Sequence, residues 1–96
     1  MEELTFQDLL DKTILVGISY RNKSGEIVER EQYRGTVIES SEKQILIKRE
    51  NGKISSLPPD LRSTKRAPEG EYRLHSTGEI VVDPDFTSVW IVDKDE

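Results

Sequence analysis

Three groups of residues in this 96-residue chain carry side chains that could do chemistry. The first surrounds its one histidine. His75 is followed by Ser76, with Asp83 and Asp85 downstream, so a hairpin could gather a hydroxyl, an imidazole and a carboxylate. Adjacent residues of a strand point to opposite faces, however, which places Ser76 and His75 poorly for sharing a proton. No nucleophile elbow surrounds the serine. A solvated hairpin histidine is the plainer expectation, useful at most as a pH-sensitive side chain. The second group is Asp83-Pro84-Asp85. A working calcium loop needs more oxygen ligands at alternate positions and a bidentate glutamate, and turn chemistry explains Asp-Pro-Asp. Glu29, Glu31 and Glu39 are no acid–base pair either; interleaved with Arg30 and Arg34, they read as an exposed strand face with cross-strand partners. No metal or cofactor site is expected, and the chain reads as non-enzymatic.

The third group is basic. Arg62, Lys65, Arg66 and Arg73 sit near Tyr72 and His75. Cations interleaved with aromatic rings can hold a phosphate backbone and stack bases. Residues 43–73 carry eight basic and four acidic side chains, whereas both flanks are net acidic and the whole chain is −5. Charge balance within one folded body explains this distribution, with Asp60, Glu69 and Glu71 as partners. The functional alternative is an anion-facing surface on the basic segment, and the net charge weighs against a dedicated nucleic-acid binder.

The elements that must position these residues are mostly strands. Thr5 can cap a helix over residues 4–11 with Asp8 at N3. Leu4 and Leu9 occupy the staple positions, and Phe6, Leu9 and Leu10 share a face. A β-barrel is expected over 13–92. Ile14, Val16, Ile18 and Tyr20 alternate, and Gly25 closes a turn in left-handed backbone. A long strand from Ile27 to Glu39 follows, bent at Gly35. Asn51-Gly52 predicts a hairpin through a type I′ turn. Two prolines end the next strand, and Asp60 can cap one turn through Ser63. Tyr72-Arg73-Leu74 and Ile80-Val81-Val82 predict a second hairpin, Val89–Val92 is the last strand, and 93–96 is a frayed acidic tail. The expected core is Leu9, Leu10, Ile14, Val16, Ile18, Val37, Ile45, Ile47, Ile54, Leu74, Val82, Trp90 and Val92.

This is a single all-β domain, a small partly open barrel of five to seven short antiparallel strands with a short N-terminal helix. Leu15-Val16-Gly17-Ile18-Ser19-Tyr20, Leu57-Pro58-Pro59-Asp60-Leu61, Gly70-Glu71-Tyr72-Arg73-Leu74 and Val82-Asp83-Pro84-Asp85-Phe86 resemble a family of small bacterial proteins that has no established activity. The order of strands is similar to that of SH3-like and Sm-like barrels. The uridine-holding Asp and Asn pattern of Sm proteins is not present here.

The absence of cysteine excludes disulfide and thiolate chemistry and suits a cytoplasmic protein. No window is apolar enough for a membrane span, and the acidic start lacks the basic and apolar regions of a signal peptide. The expected function is a small binding or adaptor module for a protein partner, with an inhibitor of a basic nuclease as a special case. The alternative is an Sm-like RNA-binding protein that uses residues 62–73.

Overall fold

The computed structural model describes residues 4–74 and 78–94. It opens on one helical turn, α1 (Phe6–Leu9). Thr5 and Asp8 form a reciprocal capping box: the Asp8 amide donates to Thr5 Oγ1 at 3.3 Å, and the Thr5 amide to Asp8 Oδ2 at 2.9 Å. The helix is shorter than the expected 4–11 because Leu10 turns extended and Asp11 enters left-handed backbone at φ 65°. Leu10 therefore leaves the apolar face and is exposed, a correction to the expected core. The Asp11 amide and the Lys12 carbonyl then bond Val37, which seats Leu9 in the interior.

Eight strands follow. β1 (Thr13–Arg21), β2 (Ile27–Ser40), β3 (Ile45–Arg49) and β4 (Ile54–Leu57) form an antiparallel meander. β5 (Thr64–Arg66), reached through a 3-10 turn at Leu61–Ser63, lies at the far edge against β8 (Phe86–Asp93). The six-stranded order is β4-β3-β2-β1-β8-β5, and β6 (Glu71–Arg73) and β7 (Ile80–Val82) make a separate hairpin. The architecture is all-β with a short N-terminal helix. Two details exceed the expectation: the strands number eight among the described residues, and β8 runs parallel to β1. No helix among the described residues is long and apolar enough to cross a membrane.

Ile45 and Ile47 of β3 and Leu57 of β4 share one core with Ile14, Val16, Tyr33, Val37 and Phe86. β3 and β8 are three places apart in the sheet, so a common core requires the sheet to curl. The segment 58–63 spans from one sheet edge to the other, with Asp60 capping its turn as the sequence predicts.

The hairpins form, but with different turns and parities. Within this loop Gly52 has a positive φ, 87°, and Asn51 does not, and the Arg49 amide donates to the Lys53 carbonyl. This is a three-residue loop with a left-handed glycine, not the type I′ turn that Asn-Gly suggests. Pairing of Ile47 with Ser55 then turns Ser55 inward, where it accepts from Arg49 Nε at 2.6 Å, and leaves Ile54 outside. In β7 the inward residue is Val81, 3% exposed, and Val82 is 62% exposed, because a strand's faces exchange on a one-residue shift. Val92 faces inward by parity but lies beyond the core and is exposed. β8 continues through Asp93, whose carboxylate pairs with Arg21 at 2.8 Å, so the expected tail is strand at that point.

Candidate functional site

The basic segment is divided by the fold. Asp60 takes Arg62 in a fork, Nε to Oδ1 at 3.0 Å and Nη2 to Oδ2 at 2.8 Å. The Arg62 side chain beside Asp60 pulls that carboxyl down to about 2. Lys65 and Arg66 follow on β5, where Arg66 lies 5.5 Å from the Phe86 ring centre in a depression that also contains Glu69, Asp83 and Asp85. Tyr72 and Arg73 belong to the separate hairpin and, as neighbours on β6, point to opposite faces. The Tyr72 hydroxyl donates to the Pro68 carbonyl. His75 lies outside the described residues. Of the six sequence-selected residues, Arg62, Lys65 and Arg66 therefore stand within one short stretch, and Tyr72 and Arg73 lie on a second sheet.

Asp83 and Asp85 are employed by the backbone. Asp83 Oδ1 accepts from the Gly70 amide at 2.8 Å, and Asp85 Oδ2 from the Thr13 amide at 3.0 Å. Each carboxylate fastens a different segment. Glu29 and Glu31 pair across strands as the alternation suggests, Glu29 with Lys94 and Glu31 with Arg49. The Arg49 guanidinium also stacks 3.7 Å from the Tyr33 ring centre, and burial raises the Tyr33 hydroxyl above its ordinary range.

A different surface is open. β8 pairs along its whole length with β1, but its other edge meets β5 only at Phe86, Thr87 and Ser88. From Val89 to Asp93 no described strand pairs with that edge, although the 3-10 turn at Leu61–Ser63, which leads into Thr64, lies against β8. Val89 and Ile91 are 66% and 62% exposed on the outer face. Next to them, Gly17 of β1 sits between Gln32 and Val89 in register. Gly17 lies in the floor of an open groove of about 380 Å³ on the outer face, bounded also by Ser19 and Arg30. Sequence reading missed both features because each depends on which strands are neighbours. The exposed apolar alternation of Val89 and Ile91 was the one local signal.

No family model matches the chain, and no curated protein or solved structure matches it either.

Proposed function

We propose that this chain is a non-enzymatic module that binds a protein partner by taking an extended segment as an added strand on β8. The observation that carries the reading is the edge from Val89 to Asp93, which no described strand pairs. An unpaired edge offers a row of backbone donors and acceptors, and the alternating side chains beside it give selectivity. Val89 and Ile91 supply an apolar outer row for the incoming strand. Pairing with β5 stops at Ser88, and the 3-10 turn at Leu61–Ser63 lies beside β8 beyond it, so an added strand would meet the edge from its Asp93 end.

RNA binding through residues 62–73 is the competing reading and has less support. It needs cations free to meet phosphates. Arg62 is paired with Asp60, and Arg66 sits among carboxylates. Lys65 and Arg73 are the two cations of the segment that lack a side-chain partner among the described residues.

The test is selection of extended peptides from a displayed library on the immobilised full chain, followed by a Val89→Lys, Ile91→Lys variant. Both side chains are exposed, so the variant keeps the fold. Loss of binding by about tenfold or more supports the edge. Unchanged binding, or ligands lost instead on changing Lys65 and Arg73 to Glu, contradicts it.

A further inference from the structure

Glycine in the middle of a strand weakens it, since it has no side chain to pack and gives up more conformational freedom. Gly17 occupies such a place, in β1 with β2 on one side and β8 on the other. Every other glycine here has a local cause. Gly25, Gly52, Gly70 and Gly78 hold positive φ, and a Cβ on Gly35 would stand 2.5 Å from the Lys48 carbonyl oxygen. Gly17 has neither cause: its φ is not positive, and a Cβ built on it would meet no heavy atom within 4 Å. The backbone tolerates a side chain at this point. What glycine does there is keep the outer face hollow.

We propose that Gly17 floors a channel that seats an aliphatic or aromatic side chain of the partner, beside an acidic residue that pairs with Arg30. The proposal rests on the protein-partner reading above and names the chemistry of that partner. Gly17 and Ser19 form the small floor. Val89, with Ile91 one row along, forms an apolar wall. Arg30, opposite Ser19, stands on the other side and is exposed. Its side chain makes no hydrogen bond or ion pair with any described residue. Arg34, also on the outer face of β2, is held by Glu50 and Glu79. Glu31 borders the groove, but its carboxylate is taken by Arg49 and by the Tyr20 hydroxyl. The unbalanced charge at the channel is therefore positive. A segment lying across this face with an apolar side chain next to a carboxylate matches both walls; a basic segment matches neither.

The probes are synthetic nonapeptides of Ser, Thr and Gly with Leu-Glu at their centre, and controls with Leu-Lys or Ala-Glu. Each is titrated to millimolar concentration into the isotope-labelled full chain and followed by amide shifts. The expected result is binding of the Leu-Glu peptide with shifts at Gly17, Ser19, Arg30 and Val89. Both controls should bind about tenfold more weakly or worse. Gly17→Val should melt no lower than the parent and lose the peptide. Arg30→Glu should reverse the preference toward Leu-Lys. A Gly17→Val variant that binds as tightly as the parent, shifts confined to other surfaces, or no binding by the Leu-Glu peptide overturns the channel. Slowed exchange of β8 amides with unchanged affinity in Gly17→Val would remove the channel and keep strand addition. Lost affinity in Gly17→Val with unprotected β8 amides would do the reverse.

Discussion

Thr13 and Asp85 clasp each other at the start of the parallel β1–β8 pair. The Thr13 amide and hydroxyl both donate to Asp85 Oδ2 at 3.0 Å, and the Asp85 amide donates back to Thr13 Oγ1 at 3.1 Å. Residues far apart in sequence are thus locked in register where no hairpin can do it. The Thr13 amide holds the Asp85 carboxyl below its ordinary range. A carboxyl depressed in the folded state adds stability above its unfolded value, near 4, and loses it as pH falls through the folded value. Asp85→Asn should lower stability by about 1 kcal/mol at neutral pH. The gap to the parent should close as pH drops below about 4, read from urea midpoints across pH.

Gly35 and Gly17 should respond oppositely to the same substitution. On Gly35 a Cβ would meet the Lys48 carbonyl oxygen at 2.5 Å and Ile47 Cγ2 at 2.7 Å, so β2 and β3 must part. Gly35→Ala should cost about 1–3 kcal/mol. Gly17→Ala, with open space above it, should leave stability unchanged or raise it by about 0.5 kcal/mol. Thermal melts of the two variants check both signs.

Ser88 joins two strands and the Trp90 indole with one hydroxyl. It is fully buried, lies 3.1 Å from Thr64 Oγ1 on β5, and accepts from Trp90 Nε1 at 2.7 Å. Ser88→Ala leaves the Thr64 hydroxyl and the indole N–H without this partner. Stability should fall by about 1–3 kcal/mol, with the larger change in exchange at β5, whose ladder is three residues long. An equal loss across all strands would contradict this role.

Legibility followed the range of the interactions. The Thr5–Asp8 capping box, the Asp60 cap and the left-handed Gly25 depend on neighbours in sequence, and reading the chain finds them. The hairpin at Asn51-Gly52 was legible, but its loop has Gly52 alone in left-handed backbone, a choice set by the flanking β3–β4 register. Val81 and Val82 are equal in apolar character, and which one faces in depends on pairing with β6. The parallel β1–β8 contact, the free edge beyond Ser88 and the hollow at Gly17 arise between segments about seventy residues apart. No local pattern carries them. In the basic segment the reverse holds: composition picks out Arg62, but its fork to Asp60, two residues away, is a matter of geometry.

The proposed function stands or falls on strand addition at β8. Amide hydrogen exchange of the full chain, alone and with a selected peptide, tests it most directly. Strand addition should slow exchange within Val89–Asp93, on the edge that β5 does not pair, with little change on β4. Protection confined to residues 62–73, or none on β8 with the peptide bound, would contradict it.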